Sequence, residues 1–402
     1  MIETGIIFLV TLTASTILAD VLLLLFWKFN FRSYWSENIS EKLQKAHPEI
    51  NPMPPPELKE IPKVAVLLAV RNEEALLPAC LESLLSSAYP AEKLSIWIGN
   101  DASEDQTLAI AQAFQRKDAR VRVVDVKVQV GQAQAKANVL AHLVQTVAQD
   151  ANPPKLLLVT DADVQVQTHW VGGMVQSWQA KPKKQEIGVV TGITLVDGST
   201  AWGQLQRIDW IFALGMVKVA SDWGIPIATM GNNMMMYLPA YRATGGYEHL
   251  PFSITEDFQI LHEITKQGYS FRNVVAPQVV AFTQPMTSWN ELLQQRKRWM
   301  HGAVKLPLPI VSILFLQATF FPLIIFLLFY QPLLGLGLWI SKGMIQSFFI
   351  MQVTRKLTLS RKYRKRLYRY LLLYDLYAAI LTPLTVGIYL LPIKTSWKGR
   401  RY

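Results

Sequence analysis

The chain of 402 residues is poor in cysteine and in charge. A single cysteine, Cys80, excludes an intrachain disulfide framework and a CxxC metal site. With no paired histidine apparent, it reads as a buried core residue rather than a catalytic thiol. Charged residues make up 17%, against about 25% in an ordinary soluble domain. Hydrophobic residues reach 51% and the mean hydropathy is +0.20. This composition excludes a disordered chain and argues against a purely soluble one. No Gly-x-Gly-x-x-Gly follows the first apolar run of the central region, and no Gly-x4-Gly-Lys-Ser/Thr occurs, so a dinucleotide fingerprint and a P-loop are both missing. No internal repeat is present. At roughly 150 residues per domain the length allows two or three units.

What is abundant points to a membrane: 12 Trp and 17 Phe in a chain of net charge +11. Ile6 to Trp27 is a nearly unbroken apolar run, long enough to cross a bilayer as a helix. It lacks the basic start and the small-residue cleavage site of a signal peptide. Lys28, Arg32, Lys42 and Lys45 follow it, so the positive-inside rule puts the next segment in the cytoplasm. Three further runs lie at about residues 306–330, 333–353 and 370–391. Between the last two, Arg355–Arg369 carries eight Lys/Arg and no acid, as expected of a cytoplasmic loop suited to anionic headgroups. Four spans leave the tail Trp397-Lys398-Gly399-Arg400-Arg401 outside, against the charge rule. Either the tail is an exception or one run is re-entrant, with Lys342 and Pro383 marking the two candidates. Four spans are the expectation. Asp20 lies roughly 10 Å inside the first run, where a carboxylate costs about 2.5–3.5 kcal/mol at mid-helix. It is read as neutral or hydrogen-bonded between helices, the alternative being the wall of a polar acceptor path.

From about 61 to 302 the composition is that of a globular domain, preceded by a stiff linker at Asn51-Pro52-Met53-Pro54-Pro55-Pro56. The fully apolar run at 64–70 predicts a buried strand, and further strands are read at 94–99, 121–126 and 156–160. Helical spacing at 73–87, 103–115 and 133–147 predicts helices between them. This alternation implies a parallel α/β sheet, whose ligands bind beyond the carboxyl ends of the strands. The polar residues sit there: Arg71-Asn72-Glu73-Glu74 after the first strand, Asn100-Asp101 after the second, Asp161-Ala162-Asp163 after the fourth. Two carboxylates one residue apart at a strand end can both reach a hard cation, and Mg²⁺ prefers one or two carboxylates plus substrate phosphates. Taken singly, each motif also has a plainer explanation. Asp101 or Ser103 could cap the next helix. Thr255-Glu256-Asp257 could be a cap with acids at a positive helix end. Gln295-x-x-Arg298-Trp299 could be an interfacial anchor on a helix at about 289–301. Met234-Met235-Met236 is read as apolar packing rather than a soft-metal site, and His262 and His301 as structural.

In order, Asp101, Asp161-Ala162-Asp163, Thr255-Glu256-Asp257 and Gln295-Arg296-Lys297-Arg298-Trp299 resemble the D, DxD, TED, Q(Q/R)xRW signature of membrane-bound family 2 glycosyltransferases with a GT-A fold. Relatives of that pattern include cellulose, chitin and hyaluronan synthases, poly-N-acetylglucosamine synthase and ceramide glucosyltransferase. The resemblance covers about residues 62–302. Lys136-Ala137-Asn138 and Gly245-Gly246-Tyr247 support it, while Asn100 stands where many members have a second Asp. It implies a Rossmann-like GT-A domain in the cytoplasm, with one amino-terminal and about three carboxyl-terminal transmembrane helices. The implied division is 1–28 for the first span, 29–60 for a linker, 61–302 for the catalytic domain and 303–402 for the membrane region, whose basic cytoplasmic loop is 354–369.

The resemblance also implies roles. Asp101 binds the uracil or ribose of a UDP-sugar. Asp161 and Asp163 hold the sugar nucleotide and its Mg²⁺ or Mn²⁺, Asp163 more directly. Lys136 serves the phosphates, Arg71, Glu73 and Gln295 belong to the substrate site, and Arg298 meets the diphosphate. Trp299 lines the acceptor site, and Asp257 is the general base with Glu256 beside it. A carboxylate within about 3 Å of the acceptor hydroxyl takes its proton. The oxygen then attacks opposite the departing UDP, which inverts the anomeric centre. No covalent intermediate is needed. The acceptor is a polysaccharide or a lipid, the bacterial inner membrane is the expected location, and no nucleic acid is involved. A lipid-only, non-processive enzyme is the alternative reading. A transporter is disfavoured because the carboxylates cluster in the globular part, and a nucleotidyltransferase because a Gly-rich phosphate loop is missing.

Overall fold

The computed structural model describes residues 2–30, 55–180, 185–392, 394–397 and 400–401. Most of the expected linker 29–60 lies outside the described residues, as do Arg32, Lys42 and Lys45 and part of the basic tail. The described residues form two compact units. One contains the chain from the first strand to Val196 and Ala220–Gln284; the other contains the amino-terminal helix, Asp197–Val219 and Pro285–Tyr402.

The first unit is built on a sheet. Its strands are β1 (Val64–Val70), β2 (Leu94–Asn100), β3 (Val121–Asp125), β4 (Leu156–Thr160), β5 (Val164–Val166), β6 (Ile187–Thr191), β7 (Ile193–Val196), β8 (Asn233–Tyr237), β9 (Ser270–Asn273) and β10 (Val280–Thr283). Seven of them order as β3-β2-β1-β4-β8-β6-β9, and β5-β10-β7 make a small second sheet. β1 to β4 are parallel, and β8 runs antiparallel between β4 and β6. β1 is apolar throughout because both of its faces are covered. Val64, Val66, Leu68 and Val70 pack toward Leu77, Leu81 and Leu84 of helix Leu77–Leu85 and toward Trp170 and Met174 of helix Trp170–Gln179. Ala65 and Leu67 point the other way, to Val139, Leu140 and Leu143 of helix Ala135–Ala148 and to Ile260 and Ile264 of helix Glu256–Lys266. The period-2 alternation thus makes two cores from one strand. Gly99 in β2 lets a helix come close: a Cβ there would lie 2.2 Å from Val139. The methionine run is the fully buried centre of β8, which confirms packing and adds a strand.

In the second unit, four helices among the described residues are long and apolar enough to cross a membrane: Gly5–Trp27, Leu308–Tyr330, Pro332–Lys356 and Leu371–Leu390. The last continues through Pro383. Large apolar side chains such as Phe8, Phe315, Phe329, Leu333 and Leu372 are exposed, as lipid-facing positions should be. Phe320, Phe321, Ile324 and Leu327 form the inner packing. Asp20 is buried and satisfied there. It accepts from Lys342 Nζ at 2.6 Å, Gln317 Nε2 at 3.1 Å and Gln346 Nε2 at 3.2 Å. This is the hydrogen-bonded reading of Asp20, and Lys342 is its counter-charge.

Candidate active site

The chain leaves each parallel strand into a tightly bonded turn. Arg71, just beyond β1, donates from Nη1 to the carbonyls of Asp101 (2.8 Å) and Ala102 (3.3 Å), and its Nη2 lies 3.5 Å from Glu104. Asn72 N–H donates to Ser103 Oγ, and buried Glu73 donates its N–H to Thr107 Oγ1 at 2.7 Å. The turns after β1 and β2 are therefore one stitched element that presents Asp101. Neither Asp101 nor Ser103 caps the following helix. That helix starts at Thr107, whose N–H donates to Asp105 Oδ1 at 3.0 Å. Asn100 is buried, donates to Asp125 Oδ1 at 2.8 Å and accepts from Ser103 N–H at 3.3 Å. An aspartate at 100 would face a second carboxylate, so the departure from a paired Asp has a local cause.

Three of the non-glycine residues with left-handed backbone border these positions: Asn72 (φ 51°), Ala102 (φ 50°) and Ala135 (φ 50°). Such residues hold about 1–3 kcal/mol of strain and tend to gather at functional sites.

Lys136, one residue beyond Ala135, lies between carboxylates. Its Nζ is 2.6 Å from Asp161 Oδ1 and 3.4 Å from Glu256 Oε1. Burial alone would lower the ammonium's pKa. Asp161, Glu256 and Asp257 outweigh it and raise the pKa above the ordinary lysine value. Asp257 is oriented by backbone: Gly231 N–H donates to Oδ2 and Phe258 N–H to Oδ1, both at 2.8 Å. Gly231 passes so close that an added Cβ would lie 3.1 Å from Asp257 Oδ2. Thr255 stands at the helix N-cap without a side-chain capping bond, while Glu256 and Asp257 occupy the first turn, so of the plain explanation the acids at the positive helix end stand and the Thr cap does not. Tyr247, of the Gly-Gly-Tyr turn, is buried. Burial drives its phenol pKa well up, and Glu256, Tyr241 and Asp257 add to the effect.

Asp163 faces the small second sheet and accepts from Thr283 Oγ1 at 3.0 Å. Beneath this turn Cys80 donates its S–H toward the Asp161 carbonyl at 3.5 Å. Burial raises the thiol's pKa well above its ordinary value, and Asp163, Asp161 and Glu73 raise it further. A thiol so held is a poor nucleophile, in keeping with a structural role. Among the described residues no group of three or more His, Cys, Asp and Glu makes a closed metal cage. A site of one or two carboxylates completed by substrate phosphates needs none, and the hard oxygens of Asp161 and Asp163 fit Mg²⁺ or Mn²⁺. A groove of about 370 Å³ lined by Lys59, Glu60, Trp178 and Glu186 opens at the opposite, amino end of these strands and includes none of these residues.

The structure thus gathers Lys136, Asp161, Glu256 and Asp257 in one cluster, with Asp101, Arg71 and Glu73 at the adjoining strand ends. Gln295, Arg298 and Trp299 belong to the other unit, on helix Trp289–Ala303. Gln295 is buried there, and Arg298 and Trp299 are half-buried. Trp299 stacks edge-on with Trp210 at 5.3 Å and under the Arg296 guanidinium at 4.2 Å, while Arg296 pairs with Asp209. Lys297 Nζ donates to the carbonyls of Ile388 (2.9 Å) and Leu391 (3.1 Å), where the end of helix Leu371–Leu390 favours a cation. Sequence reasoning missed Gly231 and Thr283. The Gly231-Asn232-Asn233 run ahead of an apolar stretch was a readable signal for the first; nothing marked the second.

The model for glycosyl transferase family 21 matches residues 26–401. The chain belongs to that family. The matching family is number 21, whereas the motifs suggested number 2. Poly-β-1,6-N-acetyl-D-glucosamine synthase of Staphylococcus epidermidis is 25% identical over 247 residues, 61% of this chain and 56% of that one. β-Monoglucosyldiacylglycerol synthase of Synechocystis sp. is 26% identical over 256 residues, 60% of this chain and 48% of that one. The chain thus spans about half the length of these relatives. Mannosyltransferase PcManGT from Pyrobaculum calidifontis, solved with GDP-Man and Mn²⁺, superposes with a TM-score of 0.50 at 16% identity, covering 92% of this chain and 99% of that one. The fold of this glycosyl transferase family 21 member is the expected α/β, GT-A-like one.

Proposed function

We propose that this family 21 chain is an inverting hexosyltransferase that moves a sugar from a nucleotide sugar, UDP-linked, to an acceptor hydroxyl at a membrane. The observation that carries the reading is the orientation of Asp257. Two backbone N–H groups fix both of its oxygens at the same sheet end as Asp161 and Lys136, and a carboxylate held in this way is a positioned proton acceptor.

In this reading Asp257, with Glu256 beside it, takes the acceptor proton as the oxygen attacks the anomeric carbon from the face opposite the diphosphate. Asp101 binds the uracil or ribose. Arg71 serves the site by holding the Asp101 turn, and Glu73 by anchoring that turn from below. Lys136 pairs with both Asp161 and Glu256 and meets the phosphates when they enter. Asp163, with Asp161, would hold Mg²⁺ or Mn²⁺, which supplies charge to offset the leaving diphosphate. As the resemblance implies, Arg298 would add to that, Gln295 would be a further substrate-binding residue, and Trp299 would line the acceptor. Residues 61–302 would make up the catalytic domain. The names of the two relatives include a polysaccharide product and a glycolipid product, and either class of acceptor suits this membrane portion. Positive flanks on the first helix and at 355–369 support a cytoplasmic catalytic domain in a bacterial inner membrane.

The test is nucleotide release by membranes containing the protein, across a panel of UDP-sugars and GDP-mannose, with the product partitioned into lipid and aqueous polymer. Asp257→Asn should abolish transfer while sparing nucleotide binding. Wild-type turnover in that variant would overturn the assignment of the base.

A further inference from the structure

The chain's positive charge is unevenly placed. From residue 292 to 402 the sequence holds 17 Lys/Arg and a single acid, Asp375. Eight of these cations fall in Arg355–Arg369, between two helices long and apolar enough to cross a membrane. Helix Pro332–Lys356 ends at this segment and helix Leu371–Leu390 begins just after it, so the segment is tied to the end of both. It contains its own short helix, Arg361–Tyr368.

The side chains are sorted. Leu357, Leu359 and Leu367 are buried, and the Arg366 guanidinium is committed to the Ser199 carbonyl. Arg361, Lys362, Lys365 and Arg369 are exposed. Three of them are spaced four apart, a single stripe about 12 Å long on one helical face. A topology signal requires only a count of positive charges near the membrane. It does not require them to be sorted onto one face of the short helix, with Leu367 buried on the opposite one.

We propose that this stripe is a docking surface for the phosphate headgroups of anionic lipids in the leaflet where the two helices end. Charge complementarity argues for that occupant. The stripe is cationic, no acid occurs between Glu291 and Asp375 to neutralise it in sequence, and its attachment to two membrane helices holds it where headgroup phosphates are concentrated. Each Lys or Arg adds an attraction that salt screens within about a Debye length. The inference is independent of sugar transfer and is read without it.

The test uses the purified full-length protein in neutral detergent. It is titrated with phosphatidylglycerol or phosphatidylcholine of matched chains, and retained lipid is counted by native mass spectrometry. The wild type should retain about tenfold more phosphatidylglycerol, and raising NaCl from about 50 to about 500 mM should erase the preference. The Arg361→Gln, Lys362→Gln, Lys365→Gln, Arg369→Gln variant should lose it at low salt. If that variant fails to insert, Lys362→Gln and Lys365→Gln singly should each lower the preference about two- to fivefold. Millimolar inorganic phosphate should not compete. Equal retention of both lipids by the wild type, an unchanged preference in the variants, displacement by free phosphate, or tighter retention of an RNA oligonucleotide would each overturn the proposal.

Discussion

Lys342→Met is expected to be among the most damaging single substitutions in the helical unit, and pairing it with Asp20→Leu should largely undo the damage. Asp20 and Lys342 are 3% and 2% exposed, and their charged atoms are 2.6 Å apart. Asp20 further accepts from Gln317 and Gln346. The Lys342 ammonium also donates to Gln317 Oε1 at 2.6 Å and lies 4.6 Å from the centre of the Phe320 ring. Removing one member of a buried ion pair costs about 3–5 kcal/mol, chiefly because the partner is left charged and dry. Insertion scales give a similar about 2.5–3.5 kcal/mol for an isolated Asp or Lys at mid-helix. Replacing both members by apolar groups of similar volume is often neutral; the two glutamines must then find each other, and Asp375 loses its weaker attraction to the Lys342 ammonium. The double variant should therefore lie within about 1–2 kcal/mol of the wild type, a coupling of at least about 3 kcal/mol between the sites. Apparent unfolding midpoints in mixed micelles, measured for the wild type, both single variants and the double, complete the cycle. A double variant as unstable as the sum of its singles would refute the reasoning.

Other expectations concern the carboxylate cluster. Lys136 has a raised pKa, so its contribution to stability is complete below the ordinary lysine value of 10.5 and is lost only as pH rises through the folded value. Lys136→Met removes the cation from among Asp161, Glu256 and Asp257. Nucleotide release should fall at least about tenfold; wild-type release would count against the pairing. Asn100→Asp should cost about 2 kcal/mol near neutral pH by opposing Asp125, with melting temperature rising as pH falls. The wild type should show the reverse at this position, because the Asn100 hydrogen bond holds the Asp125 carboxyl below its usual pKa and that stabilisation is lost as pH falls through the folded value. Asp161→Asn should weaken UDP binding in Mn²⁺ yet strengthen it in chelator, a crossover that calorimetry can read.

Sequence reading succeeded where one physical rule acts alone. The parallel strands β1, β2, β3 and β4 were placed to within a residue; for β1 and β4 burial on both faces makes continuous apolar runs, while β2 keeps buried Leu94, Ile96 and Ile98 in alternation and edge strand β3 buries Val121 beside exposed Arg122. The helices after β1 and β2 start later than their periodicity suggests, at Leu77 and Thr107 instead of 73 and 103. The intervening residues are taken up elsewhere. Asn72, Glu73 and Glu74 bond to Ser103, Glu104, Asp105 and Thr107 across the two turns, and a helix through either segment would break those bonds. Short strands such as β5 and β10 left no period to count. Partners far apart in the chain were also hidden. Asp20 and Lys342 each looked anomalous inside an apolar run, but 322 positions separate them, and only the shared cost of an unpaired charge in hydrocarbon hints that they meet.

The electrostatics of the cluster limit what it can bind. Asp161 and Glu256 lie 2.6 Å and 3.4 Å from the Lys136 ammonium and Asp257 adds to the attraction, so three carboxyl groups share that cation. In the proposed reading an entering diphosphate competes with them for it, and two unit charges 4 Å apart interact by about 4 kcal/mol at an effective dielectric of 20. The substrate then has to bring cationic charge with it, which Asp161 and Asp163 would hold. In that reading the same three carboxyl groups favour a neutral acceptor hydroxyl over an anionic one beside Asp257. It therefore tells against acceptors that present a phosphate or carboxylate next to the reacting oxygen.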